Sequence, residues 1–77
     1  MPHVIVKMNP GRTEEQKRQL TEQIVQNVMT ILKCREEAVS VAMEEVSRDN
    51  WTEQVYKPDI VANWDKLYKE PGYTPSA

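Results

Sequence analysis

The chain has 77 residues and a net charge of −2, enough for one domain spanning residues 1–77. Its acids and bases are interleaved, which argues against the basic, aromatic-lined face of a nucleic-acid binder, and no apolar run reaches the length of a membrane span. Cys34 is the only cysteine and His3 the only histidine, so an intrachain disulfide and a four-ligand zinc site are both excluded. A lone thiol and no secretory signal at the start read as a soluble cytoplasmic protein. A chain this short buries a modest core, so size alone points to a homo-oligomer.

The first predicted element is a strand over His3–Met8, "HVIVKM", β-branched and apolar, with Pro2 marking its start and Asn9, Pro10 and Gly11 its end. Thr13 stands three residues before Gln16, the spacing of a capping box, and Glu14 and Glu15 suit the positive end of a helix dipole. Leu20, Ile24, Val28, Ile31 and Leu32, with Val25 and Met29 beside them, make an apolar stripe at helical spacing. The helix is expected from Glu14 to about Lys33, roughly 30 Å long at about 1.5 Å per residue.

In "AVSVAMEEV", Val39, Val41 and Met43 alternate with Ser40, Ala42 and Glu44, a period-two strand with one apolar face. Strand, helix and strand make a β-α-β unit, whose crossover is expected to be right-handed and whose strands parallel. Further on, Asn50 is placed to cap a single helical turn, and Pro58 fits the first turn of a second helix. Ile60, Val61, Trp64, Leu67 and Tyr68 would be the packed face of that helix, and "EPG" at Glu70–Gly72 its stop. "YTPSA" has the composition of a terminus. Two strands leave sheet edge and face uncovered, and pairing sheets across a two-fold axis covers both, so a homodimer is the expected assembly.

Pro2 follows the initiator methionine directly, and its small side chain permits removal of Met1. Removal converts an imide nitrogen into a secondary amine held on a rigid ring. Burial in an apolar pocket disfavours the ammonium form, and a nearby cation lowers its pKa further, toward the range where a general acid/base works best. Arg12, beyond the turn, offers a planar guanidinium that would hold a carboxylate bidentately and stabilise a developing enolate. It begins about a strand length from Pro2 in its own chain, and a symmetric partner would bring the two ends together.

"MPHVIVKM", "GRTEEQK" and the period-two strand behind them resemble the 4-oxalocrotonate tautomerase family, small enzymes with an amino-terminal proline base. The resemblance covers roughly Pro2 to Trp51, and the longer C-terminal part resembles the dimeric bacterial branch. It implies a tautomerase-like α+β fold, parallel strands plus a C-terminal helix, with the sheet completed by dimerisation. It implies an isomerase moving a proton between enol and keto forms of a 2-oxo acid, with no cofactor and no metal. Carried over singly, Pro2 matches the catalytic base and Arg12 the catalytic, carboxylate-binding arginine. Trp51 falls where the family has an aromatic wall that keeps the pocket apolar, and equally suits ordinary core. Ser40 stands where hexameric members carry a second arginine. It would be a hydrogen-bond donor into the pocket, and monocarboxylic enols such as phenylenolpyruvate become the expected substrates.

His3, next to the base, reads either as a substrate contact or as a strand residue at an interface. Lys7, Arg35 and Arg48 are the places where another cation would replace the missing arginine. The rival reading is a non-catalytic dimeric module of the same fold that binds a small acid or a protein, since Pro2 behind a retained Met1 is no base.

Overall fold

The computed structural model describes residues 1–75 and divides into two compact units, Met1–Glu45 and the remainder from Val46 on. In the first, strand β1 (His3–Met8) is followed by helix α1 (Glu14–Leu32) and strand β2 (Ser40–Glu45), a β-α-β unit. The strands are parallel and in continuous register from His3↔Ser40 to Met8↔Glu45. Cα partners in a parallel pair share a face, so Val4, Val6, Val41 and Met43 lie together on one side and His3, Ile5, Lys7, Ser40, Ala42 and Glu44 on the other. Lys17 of α1 reaches Glu45 of β2 at 3.0 Å and Glu14 at 3.5 Å, which puts α1 on the Val41–Met43 side. Glu45 beside it holds the Lys17 ammonium above the usual lysine pKa.

Both ends of α1 are closed by local chemistry. The backbone N–H of Gln16 donates to Thr13 Oγ1 at 3.1 Å and that of Thr13 to Gln16 Oε1 at 2.9 Å, the reciprocal bonds of a capping box. At the other end Lys33 takes left-handed angles, φ 58° and ψ 51°, and its N–H and that of Cys34 both donate to the Met29 carbonyl. The expected end near Lys33 is therefore right, although a lysine does what a glycine does more cheaply. A short 3-10 turn, Glu36–Ala38, leads into β2. Ile24, Val25, Val28 and Met29 are half-buried, whereas Leu20, Ile31 and Leu32 of the same stripe stay exposed in this chain.

The second unit departs from expectation. Helix α2 (Arg48–Trp51) begins after Ser47, with Asn50 inside it rather than capping it, and runs straight into a π-helical segment, Thr52–Ile60, and a 3-10 segment, Val61–Lys66. Pro58 lies inside this continuous track instead of opening a new helix. In an α-helix its ring would collide with the carbonyl four residues back, at Gln54. Winding to the wider π spacing relieves that collision while the chain stays helical. The Asn63 side chain then donates to the carbonyls of Pro58 and Asp59 at 3.2 and 3.1 Å, serving acceptors that a regular helix would serve from the backbone.

Asn63 itself leaves helical angles, at φ −119° and ψ 28°, and Leu67 is extended, so the track stops before "EPG". Leu67 and Tyr68 therefore lie beyond the helix, and Tyr68 is fully exposed rather than packed, with Trp64 exposed as well. Val55 is the buried apolar side chain among the described residues. No described helix is long and apolar enough to cross a membrane.

Candidate functional site

Pro2 precedes the first rung of the sheet. Its carbonyl accepts the backbone N–H of Ser40 at 3.1 Å, so the start of β1 and the start of β2 lie side by side. At the next position the two side chains meet: His3 Nδ1 and Ser40 Oγ are 2.6 Å apart, with the ring tautomer deciding which of them donates. Both side chains are exposed, Pro2 is half-buried, and Met1 ahead of it is fully exposed. Two of the residues singled out in the sequence, Pro2 and Ser40, are thus brought together by the parallel register.

Arg12 is not brought to them within this chain. It follows Gly11, whose φ of 123° lies in the region that glycine enters without strain, and this turn delivers Arg12 and Thr13 to the start of α1. Arg12 is exposed and, among the described residues, has no hydrogen-bond or ion-pair partner. Pro2 and Arg12 flank opposite ends of β1, six residues or about 20 Å at about 3.3 Å per residue.

Trp51 belongs to the second unit. It closes α2, is half-buried, and its indole N–H donates to the Tyr73 hydroxyl at 2.8 Å. The Tyr73 ring packs on Tyr56 with centroids 5.8 Å apart and planes tilted by 49°. Part of the tail read as bare terminus therefore holds the one aromatic residue singled out for the site. Ser76 and Ala77 of that tail lie outside the described residues.

Two of the cations considered as replacements for a second arginine are engaged locally: Lys7 with Glu44 at 3.8 Å and Arg35 with Glu37 at 3.8 Å. A groove lined by Glu14, Lys17, Arg18, Thr21 and Met43 is found on the α1 side of the sheet. None of the predicted site residues lines it, and its charged walls are tied up in ion pairs of Lys17 and Arg18. No group of three or more His, Cys, Asp or Glu among the described residues is arranged to hold a metal ion.

Sequence reasoning missed two contacts, the His3–Ser40 bond and the Trp51–Tyr73 bond. The period-two pattern gives the face of each strand residue but not its partner across the sheet. Nothing in the spacing of Trp51 and Tyr73 announces their contact.

Residues 2–55 match the sequence model of the family described as "Tautomerase enzyme". The chain is 42% identical over 73 residues to a probable tautomerase of Xylella fastidiosa, covering 95% of this chain and 89% of that protein. It is 39% identical over 75 residues to tautomerase PptA of Klebsiella pneumoniae, covering 96% and 99%. Among solved structures, YwhB, a homologue of 4-oxalocrotonate tautomerase, superposes with a TM-score of 0.61 at 44% identity, covering 62% of this chain and 79% of that one. With a match that starts at Pro2 and takes in the whole β-α-β unit, the chain belongs to the tautomerase family and is an isomerase.

Proposed function

We propose that this tautomerase acts in the cytoplasm as a homodimer that ketonises monocarboxylic enols of 2-oxo acids, phenylenolpyruvate among them, with Pro2 as general acid/base once Met1 is removed. The neutral Pro2 nitrogen takes the proton from the enol hydroxyl and returns it to the adjacent carbon. The electron pair moves from the C–C double bond to that carbon, and no cofactor is needed because the 2-oxo acid itself delocalises the charge. Arg12 holds the carboxylate and the 2-oxygen, where negative charge develops. On the resemblance alone, Trp51 is assigned the apolar wall that disfavours the protonated amine.

The observation that carries this reading is the placement of Pro2 and Arg12 at opposite ends of β1. A two-fold partner running antiparallel would lay one chain's Arg12 end beside the other's Pro2 end, so that each site is made of two chains. The exposed Leu20, Ile31 and Leu32 on α1 supply apolar surface for such a partner to cover.

The test uses chemically synthesised protein, with and without Met1, in a spectrophotometric assay of phenylenolpyruvate ketonisation. The chain beginning at Pro2 is expected to turn over the enol, and the chain keeping Met1 to be inactive because an amide nitrogen has no basic lone pair. Equal activity of the two would overturn the proline mechanism. Inactivity of both, with retained binding of a carboxylic acid, would overturn phenylenolpyruvate as a substrate. Sedimentation as a stable monomer at micromolar concentration would overturn the dimer.

A further inference from the structure

We infer that His3 is a positioning residue for Ser40, and that the pair selects monocarboxylic substrates whose group remote from the carboxylate is uncharged and carries a hydrogen-bonding oxygen. This rests on the site proposed at Pro2 and deepens it. The 2.6 Å separation of His3 Nδ1 from Ser40 Oγ is short for a nitrogen–oxygen hydrogen bond and fixes a serine hydroxyl that would otherwise rotate freely. The backbone of Ser40 is fixed as well, by its bond to the Pro2 carbonyl at 3.1 Å. The serine oxygen beside the base thus has both its backbone anchor and its position set, which is the condition for reading a substrate atom.

The rest of that sheet face explains why the group read is uncharged. The next level along the strands is Ile5, half exposed at 51%, opposite Ala42. Beyond it Lys7 and Glu44 pair with each other at 3.8 Å, four residues from His3 or about 13 Å along the strand. A second carboxylate laid on this face would lose water and meet one neutral dipole and an apolar shelf, with the cation held by its own anion. An aromatic or alkyl body ending in a hydroxyl or carbonyl oxygen would bury its apolar part on Ile5 and meet the serine–histidine pair with its oxygen.

Binding of three unreactive acids to the chain beginning at Pro2, followed by NMR titration, separates this from the proton transfer itself. The probes are 3-phenylpropanoate, 3-(4-hydroxyphenyl)propanoate and hexanedioate. The hydroxylated acid is expected to bind about five- to tenfold tighter than its parent, the worth of one neutral hydrogen bond, and hexanedioate weakest. Ser40→Ala and His3→Leu should each bring the hydroxylated-to-parent ratio to about one, and the double variant should lose no more than either. His3→Asn, which keeps a polar atom near the position of Nδ1, should restore most of the preference, a rescue that a purely structural histidine would not show. A ratio unmoved in folded Ser40→Ala or His3→Leu protein, or no binding of the aromatic acids at all, overturns the inference. None of these titrations requires turnover, so failure of the proline mechanism shows in the ketonisation assay and failure of the selecting pair shows here.

Discussion

The two units of the chain satisfy their backbones by different means. From Met1 to Glu45, amides and carbonyls are consumed by a parallel ladder in one register and by a helix with a reciprocal cap at its start and a left-handed residue at its end. From Arg48 to Lys66 the winding passes from α through π to 3-10. There a side-chain amide, Asn63, donates to the carbonyls of Pro58 and Asp59, and a tail tyrosine fastens Trp51. Regular ladders are written into a sequence as period and cap, whereas side-chain ties depend on residues with no fixed spacing. Pro2, Arg12 and Ser40 are set by the ladder unit, and Trp51 by the tied one.

The largest expected effect tests the ladder unit through function. Arg12→Ala should lower kcat/KM for phenylenolpyruvate by about a hundredfold or more, near 3 kcal/mol of transition-state stabilisation, with KM rising as the carboxylate loses its partner. A change under threefold would show that Arg12 is only a solvated charge beyond a turn. Next comes the tied unit: Asn63→Ala removes both carbonyl contacts at 3.2 and 3.1 Å and should cost about 1–2 kcal/mol. Urea denaturation gives the size, and hydrogen exchange should show the loss of protection concentrated in residues 52–66. Full protection there would mean the π segment holds without its side-chain tie.

The matching test at the capped helix is slightly smaller. Thr13→Ala should cost about 1 kcal/mol, with faster exchange in the first turn of α1. Thr13→Ser should restore most of it, since the hydroxyl is the group that Gln16 N–H uses. The smallest effect is electrostatic and appears only at high pH. Lys17 has its pKa raised by Glu45, so its contribution is complete below the unfolded value of 10.5 and is lost as pH climbs through the higher folded value. Stability of the wild type should therefore fall more steeply above pH 10.5 than that of Lys17→Met, and parallel curves would show the pair to be inert.

Much of the ladder unit is legible in the sequence because its signals are local. Thr13 and Gln16 announce the start of α1, the apolar stripe its length, and the alternation around Val41 the second strand. The resemblance then attaches roles to Pro2, Arg12, Ser40 and Trp51, and the structure shows Pro2 and Ser40 as neighbours. Pairing register is not a local property, so the sequence leaves His3 either a substrate contact or a strand residue at an interface, and its bond to Ser40 across the sheet is seen only in the structure. In the second unit the proline rule misleads: Pro58 is most often a first-turn residue, and here the helix widens around it instead of stopping. Tyr73 is illegible for a different reason, since an aromatic–indole bond across 22 residues leaves no pattern in either segment.

Every rung of the two-stranded sheet joins residues 37 positions apart, as His3 and Ser40 are. The nascent chain therefore cannot test a single strand pairing until the whole crossover has emerged and closed, a loop whose entropy exceeds that of a ten-residue turn by about 1 kcal/mol. Helix α1, capped at both ends by its own neighbours, needs no such closure and can form first. The residues proposed to read the substrate are then joined in the slow, non-local step of folding. Appearance of the site would report completion of the fold, and a half-folded chain would already carry its helix while having no place for the acid to bind.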